Sequence, residues 1–487
     1  DDTSNWEAGG GGGAGGAGST ASSGTGTGGN GIQINITGNN NYWGGGGGAG
    51  IHGDYGPANG GLGGGGGGGA SNTGTYGSGG TGGITDGQTA TNEVGGNAGE
   101  MTGGGGGGGA WSGFTGGNGG SGIVIIRYKY TISAGGNVQA NWTETTTTAE
   151  SYILNKPFTS LDTNTLEVTD GVLTVIGGGG GGGTTNIQEP TYTSSSYITK
   201  TQIDEEYKYI MFECQDYIQF REDETPYSWQ EAYDEAIANG TRMPTKTELL
   251  SYLSTNNNQP LYNEDIWVWV VANNAIGKDA IHIGVHPAGA HYVGKSHYDN
   301  YGGTSFYQQT TGDYVRIYAE ISYYSITFPE NTECDILVVG GGGGGGGDIG
   351  GGGGAGGVSY LTGGVIPAGT FTVKVGNGGA GSTENGVNGN NSEFKDVNGN
   401  GITTYGGGGG AAGFNGTASN GANGGSGGGG GAYQSFNPSG GSAISGTFNG
   451  TYTYTSITHY GNAGGGDDTS NWEAGGGGGA GGAGSTA

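Results

Sequence analysis

Ile336-Leu337-Val338-Val339-Gly340-Gly341-Gly342-Gly343-Gly344-Gly345-Gly346-Gly347 sets four apolar residues directly against eight glycines. The apolar four read as a short strand buried on both faces, because no polar residue alternates with them. The eight glycines have nothing but backbone to pack with. A counterpart, Ile123-Val124-Ile125-Ile126-Arg127-Tyr128, is reached through glycine-rich sequence from Gly116 to Gly122. The opening and closing strands of one module thus stand far apart and in inverted order. Residues 1–21 recur without a change as residues 467–487, a period of 466 residues. Read circularly, one module runs from Ser325 through Ala487, which is equivalent to Ala21, and on to Tyr128. Repetition on that scale marks an array of whole domains rather than a short-period solenoid. A copied terminus would leave the same two stretches, and that alternative stays open.

Glycine supplies 129 of the 487 residues, and only 18 of them fall between 129 and 334. One ordinary module therefore sits between two halves of an extreme one. A net charge of −28 with 13 Lys and Arg argues against nucleic acid or an anionic membrane as partner. No apolar run approaches the ~18 residues of a membrane span. Cys214 and Cys334 are the two cysteines; they have the option of pairing, and two cysteines do not establish a redox compartment. Six N-x-S/T sequons, at Asn35, Asn141, Asn239, Asn390, Asn415 and Asn449, are about what the Asn and Thr content gives by chance.

Residues 1–128 alternate glycine runs (9–13, 44–48, 63–69, 103–109) with polar and aromatic loops, and residues 340–466 do the same. Disorder is the default for such composition, since glycine loses the most backbone entropy on ordering and buries nothing. Two features oppose it: the runs are broken at intervals by Ala and aromatics rather than by Ser-rich linker sequence, and strongly apolar strands bracket them. The ordered alternative is a bundle of glycine helices of polyproline-II type, with three residues per turn and ~3.1 Å rise. Without Cβ atoms, neighbours approach closely enough to exchange N–H···O=C bonds and Cα–H···O contacts.

The stretch 336–357, the strand Thr370-Phe371-Thr372-Val373-Lys374-Val375-Gly376 and the closing residues 119–128 resemble the glycine-rich, polyglycine-II domain of phage and viral tail-fibre proteins and fibre-tip adhesins. That resemblance implies a scaffold of glycine helices whose loops meet a receptor. Its contact candidates here are Tyr42, Trp43, Tyr55, Tyr76, Trp111 and Phe114; aromatics that merely cap the ends of the slab are the competing reading. Residues 129–186 read as a connector with a short glycine run, 177–183. In it Gln139-Ala140-Asn141-Trp142-Thr143-Glu144 and Ser151-Tyr152-Ile153-Leu154-Asn155-Lys156-Pro157 resemble a joining segment of trimeric fibres, which implies assembly in threes.

Residues 187–327 read as a small α/β domain. Ser228-x-x-Glu231 and Thr245-x-x-Glu248 are capping boxes that open two helices, and strands are expected at 266–271, 280–285 and 314–321. The first helix, the turn 240–245 and Glu248 resemble C-type-lectin-like domains. Neither a Glu-Pro-Asn nor a Gln-Pro-Asp triplet occurs, so the calcium-dependent sugar site of that family is in doubt. Trp267 and Trp269 are the glycan-binding candidates of this module. His282, His286, His291 and His297, with Asp299 nearby, are the weak metal candidates, because none of their spacings is a recognised ligand pair. The carboxylates at 204–206 and 222–224 lack EF-hand spacing. No Gly-x-Ser-x-Gly joins a strand to a helix, and no phosphate loop with Gly-Lys-Ser/Thr is present.

The expectation is a mainly β, polyglycine-II slab plus a lectin-like α/β module. Its parts are 1–128 (second half of the slab), 129–186, 187–327, 328–466 (first half of the slab) and 467–487 (start of the next repeat). Functionally this reads as an extracellular structural fibre of virion or cell-surface type, without cofactor or catalysis. It would assemble with its own copies, and an adhesin for surface glycans is the alternative.

Overall fold

The computed structural model describes residues 26–52, 56–71, 75–130, 189–192, 195, 197–204, 206–214, 243, 324–413, 419–431 and 439–465. It also gives the backbone of strands Leu166–Thr169, Val172–Val175, Gln219–Glu222, Thr241–Arg242, Ile266–Val271, Lys278–Val285, His291–Ser296 and Ile317–Ser322. Among the described residues the fold is mainly β and contains no α-helix.

Two six-stranded antiparallel sheets form a sandwich. The first runs, edge to edge, Ser456–Tyr460, Val358–Ile366, Thr332–Val339, Ile123–Lys129, Tyr207–Phe212, Ile198–Gln202. The second runs Gly446–Phe448, Gly401–Thr404, Ser392–Asp396, Gly369–Lys374, Tyr324–Phe328, Thr191–Tyr192. The two strands quoted first are direct neighbours, with Val339 opposite Ile123 and Cys334 opposite Tyr128. Their unbroken apolar character has a plain cause. Val124, Ile126, Ile336 and Val338 face the second sheet, where they meet Phe371, Val373, Phe394 and Ile402. Ile123, Ile125, Leu337 and Val339 face the other way, onto Ile34, Ile36 and Trp43 of the hairpin Ile32–Ile34/Asn41–Trp43. Both faces are dry, so no polar alternation survives. Phe371 stacks on Phe394 with ring centroids 4.7 Å apart, and Arg127 donates to Asp335 from Nε (3.0 Å) and Nη2.

Strands Thr191–Tyr192, Ile198–Gln202 and Tyr207–Phe212 belong to these sheets. The boundary expected at 187 is therefore not where the packing changes. A further sheet, separate from the sandwich, contains Gln219–Glu222, Ile317–Ser322, Ile266–Val271, Lys278–Val285 and His291–Ser296 in that order, with Thr241–Arg242 also paired to Ile317–Ser322. The strands expected there are present, the third beginning at Ile317 in the described chain. Both expected helices, the connector motifs 139–144 and 151–157, the glycine run 177–183 and both copies of the 21-residue repeat lie outside the described residues.

At one end of the sandwich the side chains stop and the strands continue as glycine threads. Thr332–Val339 leads into 340–347, Gly401–Thr404 into 405–413, and Gly369–Lys374 into 376–382. Threads 116–122, 350–357 and 384–391 run into the strands that follow them. Apolar side chains hold stacked sheets ~10 Å apart. Beyond Val339 that spacer is gone, and threads from opposite sheets bond directly: Gly341 N–H to Asn390 C=O at 3.0 Å, Gly344 N–H to Val387 C=O at 2.9 Å.

The run 341–347 shows the order of the resulting lattice. Gly341, Gly344 and Gly347 donate to Asn390, Val387 and Glu384; Gly342 and Gly345 to Gly120 and Gly117; Gly343 and Gly346 to Gly354 and Gly351. Its carbonyls accept from Gly407, Gly410 and Gly413, from Gly379 and Ser382, and from Gly106 and Gly109. Each set repeats every third residue, which is the period of a polyproline-II-type helix. Going round the run, six neighbouring threads alternate between acceptor and donor, and every N–H and C=O from 341 to 347 is used. A Cβ built on any of residues 340–347 would lie within 2.5 Å of a neighbouring thread's backbone. One net hydrogen bond, about 0.5–1.5 kcal/mol, only roughly matches the ~1–2 kcal/mol of backbone entropy lost per residue. An isolated thread gains nothing by ordering, and one enclosed on six sides adds close packing and Cα–H···O contacts to that balance.

Candidate functional site

The threads turn at two ends. The inner turns abut the sandwich; the outer turns form a tip whose described parts include residues 50–52, 70–71, 75–76, 91–94, 110–115 and 347–350. Backbone strain gathers there: Asn92, Ser112, Asp348 and Ile349 all have positive φ (57°, 83°, 57° and 60°). Such angles in residues with a Cβ persist only where the surroundings enforce them. At Asp348 the enforcement is visible. Its buried carboxylate Oδ1 accepts from Ser112 N–H (2.8 Å) and Gly113 N–H (3.2 Å), while its own N–H donates to Phe114 C=O (3.2 Å). Two turns more than 230 residues apart in the chain are thereby tied together.

Beside them, Ile51–His52 and Ala70–Ser71 pair in parallel, and His52 Nδ1 lies 2.6 Å from Ser71 Oγ. The imidazole meets the Trp111 ring edge-on at 4.8 Å. His52 and Ser71 are buried, whereas Trp111 is 36 % exposed and Tyr76 40 %. The buried Ser–His contact ties two strands, and Trp111 offers an indole face on a support held by backbone bonds. An aromatic plane so mounted suits stacking on an apolar or sugar surface.

The contact candidates thus separate. Trp111, Tyr76 and the half-buried Phe114 stand at the tip. Tyr42 is half-buried at the sandwich end, its N–H donating to Gly82 C=O at 2.9 Å. Trp43 is corrected: it is fully buried in the hydrophobic core, with Nε1 donating to Ile34 C=O at 3.3 Å, and no receptor can reach it. Its sequence neighbours suggested a loop, but alternation within Asn41–Trp43 turns the indole inward. Tyr55 lies outside the described residues.

In the separate sheet, the backbones of Trp267 and His282 are cross-strand partners, as are those of Trp269 and Ala280, and His291 pairs with Val285. His286 and His297 lie outside the described residues. Among the described residues no group of three or more metal-ligating side chains converges, and no helix is long and apolar enough to cross a membrane. Cys214 and Cys334 do not pair. Cys334 is enclosed by the sandwich, where burial pushes its thiol well up, and Cys214 donates to Asn377 Oδ1.

One structural device escaped the sequence reading. Asn385, Asn388 and Asn391 stand three apart, and their Oδ1 atoms accept from Ala412, Gly409 and Gly406 N–H at 2.8, 2.8 and 3.0 Å. Asn420 and Asn423 do the same for Ser439 and Ser442. An asparagine side chain carries its own amide carbonyl, so it satisfies a thread N–H that has no backbone acceptor on that side. The signal was available as an Asn-x-x-Asn period of three.

Residues 319–487 match the family model described as a glycine-rich domain. The lattice that this match enters also contains threads from residues 26–122, outside the matched span. No curated protein and no solved structure matches the chain.

Proposed function

We propose that the chain is a structural subunit of an extracellular fibre of virion or cell-surface type. In this reading 466-residue tandem repeats place one glycine lattice after another, and the module holding the Trp267 strand projects from the shaft as a lectin-like domain. What supports it is the run 341–347, in which backbone alone, bonded to neighbours on six sides, replaces a side-chain core. Such a body is stiff along its threads, offers few extended side chains to a protease, and with a net charge of −28 repels its neighbours laterally. The role is to hold surface at a distance, which asks for no cofactor and no reaction. Electron microscopy of the purified chain tests it: filaments with a regular axial spacing are expected, and dispersed particles at high concentration count against it.

A second reading, an adhesin for surface glycans, is favoured by the tip, where exposed Trp111 stands on turns fixed by Asp348. A glycan array separates the two. Binding lost in Trp111→Ala and kept in Trp43→Phe places recognition at the tip; binding that ignores Trp111→Ala removes the tip from the account.

A further inference from the structure

Asparagine followed by glycine recurs along the margins of the lattice and in the loops at the opposite end of the sandwich, where Asn449-Gly450 follows strand Gly446–Phe448. Each such pair carries a latent reaction. The glycine amide nitrogen gives its proton to solvent and bonds the asparagine Cγ, while Nδ2 takes up a proton and leaves as ammonia. Water then opens the resulting succinimide ring at either carbonyl, giving aspartate or isoaspartate. Glycine suits the attacking position because it has no Cβ to obstruct ring closure. The nitrogen has to be free of a hydrogen-bond acceptor, and the backbone has to turn it towards Cγ.

The fold sets these pairs apart. After Asn385, Asn388, Asn420 and Asn423 the glycine N–H is donated to a neighbouring thread: Gly386 to Gly410 C=O and Gly389 to Gly407 C=O, both at 2.8 Å, Gly421 to Ser439 C=O at 3.0 Å and Gly424 to Ser442 C=O at 3.2 Å. Gly31, Gly60 and Gly119, which follow Asn30, Asn59 and Asn118, donate in the same way to Leu62, Ser78 and Gly379 C=O. In the hairpin 396–401, Gly399 donates to Asp396 C=O and Gly401 to Asn449 Oδ1. Gly450 differs. Among the described residues no acceptor meets its N–H, and it is half-buried between exposed Asn449 and exposed Thr451, so water reaches the pair.

The asparagine side chains are held alike, which leaves the following amide as the difference. Asn388 Oδ1 accepts from Gly409 N–H at 2.8 Å, Asn423 Oδ1 from Ser442 N–H at 2.7 Å, and Asn449 Oδ1 from Gly401 N–H at 2.7 Å. In each case the donor polarises the carbonyl under attack and steadies the oxyanion as the ring closes. In a thread the nitrogen reaches Cγ only by giving up its own bond and turning the chain out of its row. At Asn449 no bond of the attacking amide stands in the way. We propose that Asn449 is a site of spontaneous deamidation, while the lattice keeps the Asn–Gly pairs of its threads intact. The consequence falls on the hairpin 396–401. Asn449 holds it by donating N–H to Gly401 C=O (3.0 Å), accepting from Gly401 N–H, and donating Nδ2 to Gly399 C=O (3.5 Å). Aspartate loses the Nδ2 donor, and isoaspartate adds a carbon to the main chain and displaces the pairing. The site is independent of whether the chain forms fibres.

The test incubates the unglycosylated full chain in mildly alkaline water labelled with heavy oxygen, which marks only conversions during the incubation, and maps the peptides by mass spectrometry. Asn449 should convert at least about tenfold faster than Asn388 and Asn423, since a thread must first give up more than one hydrogen bond. In denaturant the three should convert at similar rates, because glycine follows each. Equal rates in the folded chain overturn the proposal, and so does an Asn449 that keeps its lead in denaturant, where local sequence alone would set the order. Isoaspartate among the products marks the ring; aspartate alone means direct hydrolysis and overturns the route. After conversion the Gly401 amide should exchange faster and the Gly344 amide should not. An unchanged Gly401 amide overturns the consequence for the hairpin.

Discussion

The sandwich and the glycine lattice are built from the same threads of chain, yet they obey opposite rules. In the sandwich, Phe371, Phe394 and Ile336 hold two sheets apart and exclude water; side chains supply the stability and backbone bonds join only strands of one sheet. A few residues further along the same strands, the side chains vanish, the sheets converge, and the run 341–347 bonds in every lateral direction. A core tolerates small losses of volume and suffers from large ones. At a position such as Gly344 the lattice admits no gain of volume, because neighbouring backbone already stands where a Cβ would go. Adding one carbon to the lattice should therefore cost more than removing six from the core.

That inversion is open to direct attack. Gly344→Ala, whose new carbon would overlap the Ala380 carbonyl oxygen, should destabilise by more than ~4–5 kcal/mol, the range reserved for severe disruption, and abolish a cooperative transition in chemical denaturation. Phe394→Ala in the sandwich should cost about 3–5 kcal/mol and leave a cooperative, earlier transition. If the glycine substitution proves the milder of the two, the contrast fails. Gly399→Ala sharpens it from another side. Gly399 has φ +80° in a hairpin of the second sheet, and a Cβ there meets nothing within 4 Å, so only backbone conformation opposes the change, about 1 kcal/mol. Asn388→Ala, measured the same way, should cost about 0.5–1.5 kcal/mol for one lost acceptor and should speed exchange of the Gly409 amide specifically.

The smallest effect concerns pH. Burial alone would raise the Glu189 pKa, but hydrogen bonds from Lys200 and Lys208, with their charge, outweigh it and hold the carboxyl below its ordinary value of 4.5. A depressed carboxylate contributes stability that is present above its unfolded pKa and lost as pH falls through the folded one. Glu189→Gln should therefore lower stability slightly at neutral pH and flatten the acid limb below about pH 4.5, read by thermal unfolding at stepped pH.

How much of this was legible depends on where the information lies. The two apolar strands announced themselves because both their faces are buried, and their bracketing of the glycine runs is what weighed packed backbone against the disorder such composition otherwise implies. The short strands Ser392–Asp396 and Gly401–Thr404 carry a single inward residue or two, Phe394 and Ile402, too few to show a period. Tyr207–Phe212 was grouped with the wrong neighbours because its partner Ile123–Lys129 lies across the connector in the chain. Trp43 looked like a loop aromatic because two glycine runs flank it; only the hairpin register buries it. At the tip, Trp111 could be named from sequence, but the His52–Ser71 contact and the Asp348 anchor join residues whose proximity depends on which thread lies beside which. The order of identical glycine threads is not written in the threads themselves. It is set by the sheets they leave and by the Asn residues at their margins.

The central claim, that glycine backbone without side chains forms a solid, is tested most directly by hydrogen exchange at residues 341–347 in the intact chain. All seven amides should exchange as slowly as those of Thr332–Val339, which pass into the same hydrogen-bonded body. Exchange at the rate of an unstructured glycine peptide, with the sandwich strands still protected, would contradict it and reduce the glycine runs to tethers.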